Sequence, residues 1–492
     1  MKILKIRYYL ILMLVVLLGS CNDYFDVDPL GEIPRDNNFN NPEGFYNALN
    51  GVYISLSDEN LFGHHLTYGV IEKMANNHSL EGNDPIADFD YENVEIQPIV
   101  NGIWEKLYNS IALINSILDA LKEKPDVLSA EKFKLVKGEA LGLRAYLHYT
   151  AVKLFAPDYN LNKSMKAIPY VKTYTDKAIY GFSTVEEVYK SILDDLNEAE
   201  LLLKEEDPAV TGISDRSDSN FPQFIGGGTI LENRRVYFNY WAVVATKARV
   251  FMSMSDYKNA YDAAKLVLNG QVFDWVNLTS AASIYRRDVI YYSEMITGIE
   301  VSKLKNYYNS FFDTEKYTTT QSSWYDYITS IYDHPSDYRL KYQFRPNKNN
   351  SPEGNTISIK YDQRVNDGSG DSESVYDGYY LVPLIKKGEM QLIAAEAMNI
   401  LNPGNTEVID LLQELRRHRD IRDDLPEMTA EELGDFILEE FRRELYLEGQ
   451  MFFQYKRLNK NSMPRLGFPS TVEISEGAYV MPIPKDELEL NF

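Results

Sequence analysis

Glu444 and Glu448 lie one helical turn apart in the run 429–448. Two carboxylates at that spacing approach the separation of about 5–5.5 Å that a retaining glycosidase uses for its acid and its nucleophile. The same spacing also serves ion pairing along a helix and between neighbouring helices. Arg144, Glu396, Glu440 and Arg443 show similar three- and four-residue spacings within helical runs, so a structural role is expected for the whole group. His64, His65 and His78 are the closest approach to a metal set. No His-x-x-x-His or cysteine pattern accompanies them, so a loop or core role is expected and no metal. Gly226-Gly227-Gly228 follows no clear strand and lacks the Lys-Ser/Thr of a phosphate cradle. No Gly-x-Ser-x-Gly nucleophile elbow is present. These residues therefore predict no catalytic group and no cofactor.

The most specific chemistry belongs to one thiol. Cys21 is the only cysteine. Before it stand the cationic Lys2, Lys5 and Arg7, the apolar run from Tyr8 to Leu18, and the small residues Gly19 and Ser20. That order makes a secretory leader, and the apolar run falls short of the roughly 20 residues a membrane-spanning helix needs. Leu18-Gly19-Ser20-Cys21 resembles the bacterial lipobox, in which the cysteine is acylated and becomes the new amino terminus. Each buried CH₂ contributes about 0.8 kcal/mol, so several acyl chains on one residue give stable anchoring. Cys21 is the expected lipidation site. With its only thiol so used, the chain has no disulfide, and the fold rests on its core.

The formal charge is −23, which makes nucleic acid and anionic lipid poor partners. The chain carries 37 tyrosines, whose apolar rings and polar tips suit wet binding surfaces as well as cores. Five segments are expected: 1–20 a signal peptide, 21–40 a lipid-anchored tether, 41–272 an N-terminal helical region, 273–376 an irregular loop-rich region, and 377–492 a C-terminal helical region. Apolar residues recur at helical steps from Ile103 to Leu121 and from Phe133 to Phe155. Thr184 with Glu187, and Thr429 with Glu432, are capping-box patterns that open two further helices, 184–203 and 429–448. Helices are also predicted over 237–254, 257–268, 388–401 and 406–419. Trp104-x-x-Leu107-Tyr108 and Ser255-Asp256-Tyr257-Lys258-Asn259-Ala260 resemble parts of tetratricopeptide units. The expected class is therefore mainly α, a tetratricopeptide-like helical superhelix with long irregular ligand-facing loops. The irregular stretches are 273–376 and about 76–101.

Four segments together resemble the SusD/RagB family: Leu141-Gly142-Leu143-Arg144-Ala145-Tyr146-Leu147-His148-Tyr149 with Ile168-Pro169-Tyr170-Val171; Leu392-Ile393-Ala394-Ala395-Glu396-Ala397; the run from Ile437 to Arg457; and Tyr479-Val480-Met481-Pro482-Ile483-Pro484. Gln450-Met451-Phe452-Phe453 departs from the Arg-Trp-Phe-Asp-like run often seen there, and the sequence ends at Asn491-Phe492 where many members carry a longer tail. The resemblance implies a surface lipoprotein of a Bacteroidetes outer membrane. Asp23, Asp26 and Asp28 after the cysteine look like the export mark of such proteins. It further implies a non-catalytic protein that binds a glycan and delivers it to a SusC-like TonB-dependent transporter. The alternatives are a RagB-like peptide binder, a surface glycoside hydrolase, or a helical scaffold that binds only protein.

A sugar site needs flat apolar faces for pyranose C–H surfaces and a few polar groups that fix hydroxyls. The irregular stretches offer both. Trp324, Tyr325 and Tyr327 flank Asp326; Trp275, Tyr285, Tyr291 and Tyr292 lie upstream; Asn76, Asn77 and His78 begin the first loop. The expected ligand-binding residues are Trp324, Tyr325, Tyr327, Trp275, Tyr291, Asn76, Asn77 and His78.

Overall fold

Helix follows helix through most of the chain, each packed on the one before. The computed structural model describes residues 38–77, 84–174, 180–210, 212, 231, 233–281, 288–311, 328–346, 356–361, 364–366, 373–375, 380–465, 471–475 and 477–490. The leader, Cys21, most of the tether, His78, Tyr285 and the Trp324 cluster lie outside them. The principal helices are α1 Pro42–Leu56, α2 Gln97–Glu123, α3 Ala130–Phe155, α4 Val185–Glu206, α5 Tyr240–Ser253, α6 Tyr257–Asn269, α7 Lys387–Leu401, α8 Thr406–Arg417, α9 Ala430–Glu444 and α10 Met451–Arg457. Contacts run α1 to α2, α2 to α3, α3 to α4, α4 to α5, α5 to α6, α6 to α7, and α7 to both α8 and α9. This is a mainly helical repeat superhelix of tetratricopeptide type.

The sequence patterns explain the elements. In α4 the Thr184 hydroxyl accepts from the Glu187 N–H at 3.2 Å while the Glu187 carboxylate accepts from the Thr184 N–H at 2.8 Å. Thr429 and Glu432 repeat this reciprocal cap on α9. α3 is buried on nearly every side, as a helix at the centre of a superhelix must be. Its Arg144 enters the core only because a bidentate pair with Asp195 of α4, at 2.7 and 2.8 Å, compensates its desolvation. Arg144 also donates to Asn115 on α2 at 3.0 Å, so one guanidinium ties three successive helices.

Two features differ from the sequence expectations. The helix expected over 429–448 ends at Glu444, and α10 begins only at Met451. Leu447 and Gly449 both adopt positive φ, 60° and 68°, which a continuing helix cannot accommodate. Glu72 holds the turn in place by accepting the Gly449 N–H at 2.8 Å. The second difference is regular secondary structure within 273–376, a stretch expected to be irregular loop. Strand β1 (Met295–Glu300) pairs antiparallel with β2 (Leu381–Lys386), and β2 leads directly into α7. Leu304–Phe311 is a further helix, and short antiparallel pairs join 344–346 to 356–358 and 364–366 to 373–375.

Candidate functional site

Glu444 and Glu448 sit beneath the β1–β2 pair in a buried ion network. Glu444 accepts from Arg419 at 2.6 and 2.9 Å and from Arg339 at 3.1 Å, and Lys386 lies 3.5 Å away. Glu448 lies 2.7 Å from Lys386 and 2.5 Å from Lys360. Arg419 continues to Glu294 at 2.6 Å, and Arg339 to Asp337 at 2.8 Å. Burial works to raise the Glu444 carboxyl, but Arg419, Lys386 and Arg339 outweigh it and hold the group well below the usual carboxylate range. A carboxylate so neutralised and enclosed carries no proton to donate and meets no substrate. The network joins Glu294, Arg339 and Lys360 to α9 and β2.

The turn 57–69 and the helix Leu304–Phe311 meet at a second candidate, a rim where His64 and Tyr68 pack on Tyr307 and Phe311. The turn is held by its own backbone and one phenol: the His65 N–H donates to Glu59 O at 2.9 Å, the Gly63 N–H to Asp58 O at 3.1 Å, and the Tyr68 hydroxyl to Gly63 O at 3.0 Å. Leu304 and Tyr308 point inward and are buried, which leaves Tyr307 and Phe311 half-exposed one turn apart. The Phe311 ring meets His64 edge-on at 5.1 Å, and Tyr307 stacks over His64 at 6.4 Å. Lys73 Nζ stands 5.9 Å from the Phe311 ring and pairs with Asp84 at 3.0 Å. Burial, then the charges of Asp58 and Glu59, raise the Tyr307 phenol. The rim thus combines two aromatic faces with carboxylates and an ammonium group.

The residues expected from sequence to meet a ligand are placed unequally. Asn76 is fully buried at φ 53° and donates to Ala87 O at 3.4 Å. Asn77, also fully buried, donates to Glu72 at 3.1 Å and accepts from Arg442 Nε at 3.2 Å. Asn77 thereby braces α9 against the N-terminal region, and both asparagines are buried with internal partners and present no surface to a ligand. Tyr291 is likewise enclosed, with Arg419 at 4.6 Å and Lys386 at 5.4 Å from its ring centre. Trp275 is half-buried, stacked on His418 at 4.6 Å, and keeps an exposed edge. Trp324, Tyr325, Tyr327 and His78 lie outside the described residues. Sequence reasoning passed over Tyr307 and Phe311. The signal was the i, i+3, i+4, i+7 spacing of Leu304, Tyr307, Tyr308 and Phe311 inside a stretch read as irregular.

A helical-repeat scaffold with its open aromatic rim on inserted segments defines a class of binding proteins. Two family models match the chain, one described as "Starch-binding associating with outer membrane" over 23–211 and one as "SusD family" over 301–491. The chain belongs to the SusD/RagB family. A curated relative, "SusD-like protein P2" of Formosa agariphila, is 23% identical, with 100% of this chain and 98% of the relative covered. "SusD-like protein P38" of the same organism is 23% identical over 73% of this chain and 72% of its own length. Among solved structures, a SusD superfamily protein from Bacteroides thetaiotaomicron superposes with a TM-score of 0.70 at 20% identity, covering 92% of this chain and 98% of that one. A SusD-like carbohydrate binding protein from Bacteroides vulgatus gives 0.68 at 18%, covering 92% and 96%. These structures share the fold. No helix among the described residues is long and apolar enough to cross a membrane.

Proposed function

We propose that this protein is a non-catalytic cell-surface lipoprotein, anchored in the outer membrane through Cys21, that captures an oligo- or polysaccharide and delivers it to a SusC-like TonB-dependent transporter. The observation that carries the reading is the rim where Tyr307 and Phe311 pack on His64, with Glu59 3.8 Å from its Nδ1 and Lys73 Nζ 5.9 Å from the Phe311 ring. Aromatic faces stack on the C–H surfaces of pyranose rings, and fixed charged groups bind hydroxyls. Trp324, Tyr325 and Tyr327 extend the same composition along the chain, and Trp275 offers a second exposed aromatic edge. The likeness to relatives described as carbohydrate binding supports a glycan over a peptide. The buried pairing of Glu444 and Glu448 supports binding without hydrolysis.

Affinity gel electrophoresis of the full chain against a polysaccharide panel tests the reading. Retardation by at least one neutral glycan is expected. Retardation by none, with capture of peptides instead, would move the ligand to the RagB-like class.

A further inference from the structure

The two imidazoles beneath the rim have no hydrogen-bonding account. His64 is buried, yet neither of its ring nitrogens has a hydrogen-bond partner among the described residues, and His65 Nδ1 also lacks one. Buried polar atoms are seldom left unsatisfied without a reason, because each such atom has given up its water without gaining a partner. Glu59 approaches the same point: its Oε1 lies 3.8 Å from His64 Nδ1. One ligand atom from each of Glu59, His64 and His65 falls within 4.8 Å of the others.

We propose that Glu59, His64 and His65 form a binding site for a divalent late first-row transition ion, with zinc the representative case. Adjacent residues in a helix or strand direct their side chains apart. The irregular turn 57–69 instead brings the two imidazole centres to 4.8 Å. The His65 N–H to Glu59 O bond at 2.9 Å closes the loop that carries the carboxylate to them. Gly69 packs against the far edge of His64, where a Cβ would lie 2.9 Å from Nε2, so the ring is held with Nδ1 toward Glu59. Metal–ligand bonds of about 2.0–2.2 Å require donor atoms about 3–3.5 Å apart in a tetrahedral site. Glu59 has a half-exposed side chain, and its rotation supplies the remaining approach.

The donor set selects the ion. Calcium and magnesium take oxygen ligands, whereas two imidazoles with one carboxylate suit zinc and its neighbours and leave a position for water. The charges facing the site are balanced: Lys73 is paired with Asp84 at 3.0 Å, and Asp58 with Lys106 at 3.3 Å. A bound ion would fix the turn directly under Tyr307 and Phe311. The inference rests on the turn's own geometry and stands apart from the glycan reading.

The test is calorimetric titration of the full, chelator-stripped protein with Zn²⁺, with Co²⁺ absorption as a spectroscopic check on nitrogen ligation. One saturable site per chain is expected, and excess Ca²⁺ or Mg²⁺ should not compete. Even outer-shell partners typically cost about 10–100-fold in affinity, so Glu59→Gln and His65→Gln should each weaken binding at least about tenfold. Glu59 is exposed enough that Glu59→Gln should leave the circular dichroism spectrum unchanged, so that variant decides the matter even if a histidine variant fails to fold. Absence of saturable Zn²⁺ binding would overturn the proposal. So would binding that Glu59→Gln leaves unaltered.

Discussion

Replacing Glu444 by glutamine removes one charge from the buried network while nearly preserving shape. Glu444 faces Arg419 at 2.6 and 2.9 Å, Arg339 at 3.1 Å and Lys386 at 3.5 Å. Each cation keeps another anion: Arg419 retains Glu294, Arg339 retains Asp337 and Glu440, and Lys386 retains Glu448. Breaking a buried pair by removing one partner costs about 3–5 kcal/mol. The retained partners place Glu444→Gln near the lower end, about 3 kcal/mol, a large share of the roughly 5–15 kcal/mol that holds most proteins folded. Urea unfolding followed by circular dichroism at neutral pH measures this as a lowered midpoint. A Glu444→Gln unfolding free energy within about 1 kcal/mol of the wild type would refute the claim that this network locks the inserted segments to α9.

Three further outcomes are expected. Cys21→Ala should release the protein from the membrane fraction, and a variant that still sediments with lipid would contradict the anchor. Trp324→Ala should weaken retention by glycan with the circular dichroism spectrum intact; unchanged retention would remove Trp324 from the site. Burial pushes the Glu72 carboxyl up to about 7, against the opposing effects of Asn77, the Gly449 N–H and Lys360. A folded pKa above the unfolded value favours the protonated fold, so this contribution is complete below about pH 4.5 and is lost as pH rises through about 7. At about 1.4 kcal/mol per pKa unit, Glu72 should cost the wild type on the order of 3 kcal/mol between those limits. Melting curves of wild type and Glu72→Gln should therefore coincide below about pH 4.5 and diverge above about pH 7, where the variant is the more stable, while Asp288, also raised to about 7 by burial, behaves alike in both. Parallel curves would show that Glu72 does not titrate there.

The helical framework was legible because its signals are local. Thr184 and Glu187, Thr429 and Glu432, and the apolar steps of α2 declare themselves within a few residues. What escaped depends on distant partners. Met295–Glu300 becomes a strand because Leu381–Lys386 lies beside it, and no pattern in either segment names the other. The break after Glu444 follows from the seat that Glu72 offers the Gly449 N–H, across most of the chain. Asn76 and Asn77 were read as loop residues on their polarity, but the fold gives them Ala87, Glu72 and Arg442 as partners. The rim is a similar case. Tyr307 and Phe311 are visible as a helical stripe, but only the fold sets them against His64 and Lys73, which are remote in sequence.

Calorimetric titration of the full chain with oligosaccharides, comparing wild type with Tyr307→Ala and with chain-length analysis of the recovered sugar, tests the central claim most directly. The account predicts saturable binding of at least one neutral glycan, markedly weakened in Tyr307→Ala, with every oligosaccharide recovered at its original length. No binding to any glycan, or recovery of shortened products, would contradict it.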